Sequence, residues 1–509
     1  VSFVILGHCC KDGSCLRVCP QNCIGPTPGD PDFATAEQLS IDPSACIGCS
    51  ACVDACPVAA IKPAAALTDT ERVFARQTGG SRDHLPGVRR TGRPEIPIAL
   101  DSGRGPLRIA VVGAGTAAMY TVRELLQRSS AVRVTVFERG TRPGGLLRTA
   151  VSPDHRGIGQ LNRLFDVPFA DSRVESRFGT RVGVDVTIEA LRDRFDAVIL
   201  AFGATAPRTV VGAAMPDVHQ AIDLVAAANA VARDGGIPAV TVTGPVVAIA
   251  GGGNVALDVV ANIARRRIVD RSGAPIARVL LLARSPISRP SFTFSALHEL
   301  RQLDVDITVD TGGARLGAGS APLDQLLTEL ARPDRRSGLP VEVLFGRTVT
   351  GVRLVGGCLR VDTERTGSGD VGPGAGAAEL PGSGNAGQFA TVVEVPGSGD
   401  FGPRARVAEV HGSGGAGAGA MTEVTADSVV LASGFTCEPV PGVPLGADGA
   451  VSNREGRVVD IATGVPIAGL YVVGWAKRGG RGGLGENRRC AAQTVDMIAA
   501  DLAAVPSSR

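Results

Sequence analysis

Two cysteine runs of matched spacing near the start, and two strand–glycine turn–helix units behind them, predict a compound fold for this 509-residue chain. A small α+β module built around iron–sulfur clusters precedes an α/β part with two Rossmann-like dinucleotide-binding domains.

Nine of the twelve cysteines lie in the first 56 residues. In Cys46-x-x-Cys49-x-x-Cys52-x-x-x-Cys56-Pro57, three thiolates two residues apart curl around one cubane, and the fourth, held by the turn before proline, points to a second. Cys9-x-x-Asp12-x-x-Cys15-x-x-x-Cys19-Pro20 repeats that spacing with aspartate in place of the second cysteine. The pattern is that of an α+β two-cluster ferredoxin. Exchange of the fourth ligands groups Cys19, Cys46, Cys49 and Cys52 around a [4Fe-4S] cluster, and Cys9, Cys15 and Cys56 around the other. The second cluster is either [3Fe-4S], with its vacant corner beside Asp12, or [4Fe-4S] with Asp12 as an oxygen ligand, a harder and weaker partner for iron than a thiolate. Cys10 and Cys23 read as small buried residues, although Cys10 is placed to substitute for Cys9. A disulfide scaffold or a zinc site fits poorly, because Cys-Pro punctuates both runs, the spacing repeats and no secretory signal precedes them. Cys358, Cys437 and Cys490 stand alone and read as structural thiols.

The length allows three domains, and 44% hydrophobic with 20% charged residues is ordinary for a globular protein. No apolar run approaches the roughly 20 residues of a spanning helix, and the stretch before Gly7 is too short for a signal sequence, so a cytoplasmic protein is expected. A net charge of +2, one Trp475 and two tyrosines give no basis for nucleic-acid binding. Residues 1–62 nevertheless carry six acidic against three basic side chains, and the remainder is net basic, which favours docking of the two parts.

Residues 1–62 form the iron–sulfur domain, and 63–106, rich in Pro, Ala, Gly and Arg without a sustained period, read as a linker. Leu107–Val112 is a buried parallel strand. Gly113, Gly115 and Ala118 follow in a turn that lets a pyrophosphate approach the N-terminus of a helix running to about Gln127. The next strand, Val132 to Phe137, ends at Glu138, placed to accept hydrogen bonds from a ribose. Arg142-Pro143-Gly144-Gly145-Leu146 supplies a second glycine turn, with Gly145 and Leu146 assigned to the cofactor. The pattern recurs in Val246–Ala250, followed by Gly251, Gly253, Asn254 and Val255, and in the strand Val279 to Leu282 leading to Arg284, which is positioned for a ribose 2′-phosphate. One site for FAD and one for NADP(H) follow. Between 366 and 424 Gly-Ser-Gly recurs every 15 residues, from Gly367, Gly382, Gly397 and Gly412. Ala390–Val395 and Arg404–Val410 are strand-like, but a flexible low-complexity surface insertion is the favoured reading.

Five stretches together resemble the adrenodoxin-reductase-like ferredoxin–NADP reductases, in the bacterial form fused to an N-terminal ferredoxin: Gly113–Ala118; Gly144–Arg148 with Pro153-Asp154-His155; Gly251–Asp258; Arg284 with Phe292-Thr293; and Gly474–Gly479 continuing to Gly485-Glu486-Asn487. The resemblance covers nearly the whole chain outside the linker and the repeats. It implies that the NADP domain, 207–424, is inserted into an FAD domain made of 107–206 and 425–509. It also implies that Gly474, Trp475, Gly482, Gly483 and Leu484 lie against the flavin and nicotinamide, and that His155 and Trp475 organise the redox site. Three departures stand out. Arg284-Ser285 replaces a pair of arginines, a loss of about 1–2 kcal/mol toward the 2′-phosphate that Arg289 is near enough in sequence to offset. Ala296 replaces a glutamate, and Arg481 and Glu486 replace threonines.

The activity implied is that of an FAD-dependent ferredoxin–NADP(+) oxidoreductase. It takes a hydride from NADPH and delivers single electrons through the clusters to a redox protein of ferredoxin or cytochrome P450 type. Two other readings are an electron-input subunit of a larger assembly, of the glutamate-synthase small-subunit type, and a redox carrier or sensor whose reductase half is inactive.

Overall fold

The first 78 residues contain one short motif twice, offset by 37 positions. Helices Ser14–Val18 and Ala51–Ala55 each follow a left-handed residue, Gly13 (φ 71°) and Ser50 (φ 61°). Lys11 and Gly48, and Asn22 and Ala59, repeat the positive φ at the same offset, which also relates Cys9 to Cys46, Asp12 to Cys49, Cys15 to Cys52 and Cys19 to Cys56. Two small antiparallel pairs close the motif, Phe3–Ile5 with Ile61–Pro63 and Ile24–Gly25 with Ser40–Ile41. This computed structural model describes residues 2–33, 35–78, 99–100, 106–152, 154–155, 158–234, 240–310, 322–330, 338–365, 389–392, 407–411 and 421–504.

The linker expectation is corrected at its beginning: Asp69–Thr78 is a helix. A capping box starts it, with Thr68 Oγ1 accepting from the Glu71 amide (3.2 Å) and Glu71 Oε2 accepting from the Thr68 amide (3.0 Å). Leu67 and Ala75 pack with Val4 and Leu6, so the iron–sulfur module extends to about residue 78. Residues 79–98 and 101–105 of the expected linker lie outside the described residues. Phe74 lies over Gly7, where an added Cβ would stand 1.8 Å from the ring. Gly7→Ala must therefore push the ring out, at an expected cost of about 1–3 kcal/mol, seen as a lower temperature for thermal bleaching of the cluster absorbance.

The described chain divides into two units. The first comprises Val1–Thr149, Pro153–Ala206 and Phe435–Arg509, and the second Ala150–Ser152 and Pro207–Gly434. In the first, a seven-stranded sheet has the parallel order Pro466–Val472, Ala197–Leu200, Arg108–Val112, Arg133–Glu138, Val174–Phe178, with Arg457–Val459 and Asn453–Arg454 antiparallel on one edge. Alternate residues serve two cores. Ile109, Val111, Val134 and Ile199 pack with the helix Thr116–Arg128 on one face; Ala110, Val112, Val198 and Leu200 pack with Ile188 and Leu191 on the other. Burial on both faces explains why these strands are continuous apolar runs.

The second unit has a six-stranded parallel sheet, ordered Val218–Gln220, Ser428–Leu431, Val246–Ala250, Arg278–Ala283, Leu339–Phe345, Val305–Asp310. Here a domain boundary is corrected. Ser428–Leu431, expected to begin the second FAD segment, pairs with Val247–Ala250, so the chain returns to the first unit at Phe435 rather than 425. All four of its residues are buried, and a strand buried on both faces fits inside either sheet, so composition alone cannot assign it.

A five-stranded antiparallel sheet packs on this unit's core through Val352, Leu359, Val361, Val424 and Ala426. Its far strands, Phe389–Val392 and Val407–His411, come from the repeat segment and continue outward from Met421–Ala426. The strand-like pieces thus extend a sheet, against the favoured reading of a flexible insertion; the remainder of 366–424 outside these strands and 421–424 lies beyond the described residues. Among the described residues no helix is long and apolar enough to cross a membrane.

Candidate functional site

The cysteines gather around two cavities. Cys19, Cys46, Cys49 and Cys52 line one of about 310 Å³, together with Cys23, Phe3, Ile24 and Ile41. Cys9, Cys15 and Cys56 line the other, of about 260 Å³, with Cys10 and Asp12. The thiols are thus grouped as the expected exchange of fourth ligands would group them. Among the described residues no three His, Cys, Asp or Glu side chains converge as a single ion requires. Thiols spread around a cavity match a multi-atom cluster, whose ligands sit at separate corners.

The electrostatics agree with that fit. Burial pushes the Cys9 and Cys52 thiols up to about 11 and raises Cys15 and Cys56. Thiolates in so dry a cage need cationic iron beside them. The Ala60 amide donates to Cys56 Sγ at 3.2 Å, a contact of the kind that tunes cluster potential. Cys23 is buried, as expected, and its Sγ stands 3.5 Å from Cys19 Sγ at the edge of the first cavity.

In the same unit, the first glycine turn is a backbone cradle. Gly113 has φ 102°, and a Cβ there would stand 2.7 Å from the Ala201 carbonyl oxygen. Gly115 caps the helix Thr116–Arg128 with open space where its Cβ would be, so a pyrophosphate can reach the helix N-terminus. Ala118 is fully buried in the first turn of that helix. Glu138 accepts from the Ala114 and Gly140 amides, both at 2.7 Å, which sets its carboxylate at the rim of the turn. The second turn abuts the first: the Gly144 amide donates to the Ala114 carbonyl (2.8 Å), and a Cβ on Gly145 would come within 3.2 Å of Gly115. Leu146 opens the short helix Leu146–Thr149.

The C-terminal motif closes on the same place. A Cβ on Gly474 would meet Ala117 at 2.4 Å, and Asn487 Nδ2 donates to Thr116 Oγ1 at 2.9 Å while Arg478 donates to Asn487 Oδ1 at 2.7 Å. Trp475 stacks on Phe435, with ring centroids 5.9 Å apart, and its indole N–H donates to the Gly482 carbonyl at 2.7 Å. Glu486, a departure from the family pattern, accepts from the Gly483 amide (2.8 Å) and so caps the helix Leu484–Ala504. Gly113, Gly115, Ala118, Glu138, Gly145 and Gly474 are thus brought together at the N-terminus of Thr116–Arg128, to which the segment carrying Trp475, Gly482, Gly483 and Leu484 is tied through Asn487; Leu146 directly follows Gly145. His155 lies half-buried in the turn before the helix Ile158–Asp166.

In the second unit Gly251 has φ 127°, and a Cβ there would stand 2.2 Å from the Ala432 carbonyl oxygen. Gly253 caps the helix Asn254–Ala264, again with open space at its Cβ. Asn254 Oδ1 accepts from the Thr293 amide at 3.0 Å, tying the glycine turn to Phe292-Thr293, and Val255 continues the helix. Arg284 is exposed just beyond the strand Arg278–Ala283, and Arg289 is exposed as well. Ser285 buries its hydroxyl and presents no charge.

Sequence reasoning missed the contacts that hold the iron–sulfur module to the C-terminal helix. Gly485, Arg488 and Arg489 lie on one helical face. The Gly485 amide donates to the Cys10 carbonyl (3.0 Å), Arg488 pairs with Asp12 (3.2 Å), and Arg489 lies over the Phe33 ring at 5.9 Å. The acidic balance of residues 1–62 was the only signal of this docking in the sequence.

Comparison with known proteins agrees with this architecture. The model of the 4Fe-4S binding domain matches residues 39–62, and that of an NAD(P)-binding Rossmann-like domain matches 111–169. The chain is similar to a probable ferredoxin/ferredoxin--NADP reductase of Mycobacterium tuberculosis, at 33% identity over 98% of this chain and 83% of the relative. The counterpart in Mycobacterium leprae is 31% identical over 98% of this chain and 86% of its own length. The structure of Mycobacterium tuberculosis FprA in complex with NADPH superposes with a TM-score of 0.57 at 25% identity, covering 78% of this chain and 84% of that one. With thiols ringing two cavities and two glycine-turn cradles behind them, the chain belongs to the ferredoxin/ferredoxin–NADP reductase family of oxidoreductases.

Proposed function

We propose that the protein oxidises NADPH and passes the electrons to a separate redox protein of ferredoxin or cytochrome P450 type. FAD is assigned to the first unit and NADP(H) to the second, which is inserted in the flavin domain. The thiols of Cys19, Cys46, Cys49 and Cys52 hold a [4Fe-4S] cluster, and those of Cys9, Cys15 and Cys56 hold a [3Fe-4S] or [4Fe-4S] one. The observation that carries this reading is the packing of the iron–sulfur module and the flavin cradle within one unit, joined through Gly485 and Arg488. When bound, FAD accepts two electrons together and releases them singly. The protein's own part is to bind and orient. Gly113, Gly115 and Gly145 keep the backbone open to the pyrophosphate, Glu138 borders the ribose position, and Trp475 is held by Phe435 and Gly482 as a flat wall. His155 is assigned to organising the redox site.

An acceptor needs an exposed cluster edge, and the first cavity has one. Cys49 is exposed, and Ile47 beside it is 62% exposed. An apolar side chain next to a cluster ligand suits transient docking of a redox partner. A cytoplasmic location suits such chemistry.

Arg284 is the cation assigned to the 2′-phosphate. Arg284→Ala is expected to raise the KM for NADPH roughly tenfold and leave that for NADH unchanged in steady-state assays. The function itself is tested by NADPH-driven reduction of an added cytochrome. Reduction that requires both the flavin and the clusters supports it, and reduction that persists after the clusters are removed overturns it.

A further inference from the structure

The 37-residue pseudo-repeat places Asp12 where Cys49 stands in the other half, between matching left-handed residues, Lys11 and Gly13 against Gly48 and Ser50. The backbone is the same, but the surroundings are opposite. Cys49 is exposed, whereas Asp12 is buried at 8% exposure beneath the C-terminal helix. Its carboxylate accepts from the Ser14 amide (3.0 Å) and the Ser14 hydroxyl, and from Arg488 Nη1 (3.2 Å). The same Arg488 nitrogen donates to the Asp12 carbonyl (3.0 Å) and to Ser14 Oγ (2.6 Å), and Arg488 is itself 5% exposed. The guanidinium thus reads both the backbone and the side chain of the loop.

We propose that Asp12 is not an iron ligand but half of a buried latch with Arg488, which seats the Cys9/Cys15/Cys56 side of the iron–sulfur module on the helix Leu484–Ala504. The inference rests on the two-cluster reading of this module. Three observations converge on it. Both carboxylate oxygens of Asp12 are engaged by Ser14 and Arg488. Arg488 shares a helical face with Gly485, whose amide holds the Cys10 carbonyl and where an added Cβ would stand 2.2 Å from the Lys11 carbonyl oxygen. One residue on, Arg489 covers Phe33, whose carbonyl accepts from Lys11 Nζ at 2.8 Å. A cysteine at position 12 would leave Arg488 buried without a countercharge, a severe penalty. Aspartate at this position therefore suits docking, and Asp12 and Arg488 are positioning residues.

The ligand question is answered by comparing oxidised wild type with Asp12→Asn by electron paramagnetic resonance and iron count. The amide keeps the side chain's shape and removes its charge, so clusters of the same type, with the same spectrum, are expected in both. A three-iron signal that arises only in Asp12→Asn shows that the carboxylate held iron and overturns the proposal. Seating is read by hydrogen exchange on the full-length holoprotein. Arg488→Gln is expected to speed exchange at Gly13–Val18 and at Gly485–Asn487 together, by roughly tenfold, with partial rescue in Arg488→Lys. Unchanged exchange in Arg488→Gln overturns the latch. If that variant does not accumulate, Asp12→Asn serves for the same measurement.

In Arg488→Gln, ferricyanide reduction by NADPH is expected to hold while bleaching of the cluster absorbance slows roughly ten- to hundredfold. Equal bleaching rates in variant and wild type count against the latch. A wild type that NADPH does not reduce at all sinks the proposed function instead, and the resonance and exchange comparisons still decide the latch.

Discussion

Gly251→Ala is expected to abolish the response to NADPH while flavin and iron stay bound. At φ 127° an alanine is strained by about 1–3 kcal/mol before any contact is considered. Its Cβ would also sit 2.2 Å from the Ala432 carbonyl oxygen, which follows the strand Ser428–Leu431, paired directly with the strand that leads into Gly251. Relief requires the glycine turn to move away from that strand, and the turn is the surface assigned to the nicotinamide's pyrophosphate. A displacement that loses about 3 kcal/mol of binding raises the dissociation constant roughly a hundredfold. Gly113→Ala is the matching change in the first unit, where φ is 102° and the close contact is Ala201. It is expected to lower flavin content instead. Flavin and iron per chain, with the NADPH concentration for half-maximal flavin bleaching, separate the two outcomes. Loss of flavin in Gly251→Ala would contradict the assignment of the units.

Cys52→Ser is expected to remove the cluster ringed by Cys19, Cys46 and Cys49 and to stop electron delivery to an external protein. Cys52 is buried in the first turn of the helix Ala51–Ala55, so a serine oxygen there cannot find a substitute partner in solvent. Hard oxygen is also a poorer iron ligand than thiolate. Loss of one of four ligands opens the cage to solvent, and the cluster's binding free energy is part of the module's folding free energy. Iron per chain is expected to fall by about one cluster's worth. Reduction of an added cytochrome is then lost, and ferricyanide reduction by NADPH remains. Full cytochrome reduction without that cluster would place the exit elsewhere than the exposed edge at Cys49 and Ile47.

Local chemistry was legible in the sequence. The spacing of Cys46, Cys49, Cys52 and Cys56 encodes its own turn geometry, and the interrupted copy from Cys9 to Cys19 pairs with it on spacing alone. The glycine turns at Gly113 and Gly251 were legible for the same reason, since a buried strand on one side and a helix on the other leave the chain few conformations between them. Thr68 and Glu71 show a signal that was present but masked: a capping box four residues long is hidden in a Pro- and Ala-rich stretch. The strand Ser428–Leu431 shows a signal that was ambiguous, because both sheets accept a fully buried strand. Arg488 shows one that was absent. It meets Asp12 across 476 residues of chain; the cysteine spacing marks Asp12, but nothing local marks Arg488 as its partner.

The most direct measurement is an anaerobic titration of the purified protein with NADPH, and separately with NADH, following flavin bleaching and loss of cluster absorbance together. The account predicts that NADPH bleaches both chromophores at low concentration and that NADH needs far more. Failure of either nucleotide to bleach the flavin, or a fully bleached flavin beside clusters that stay oxidised, would contradict it.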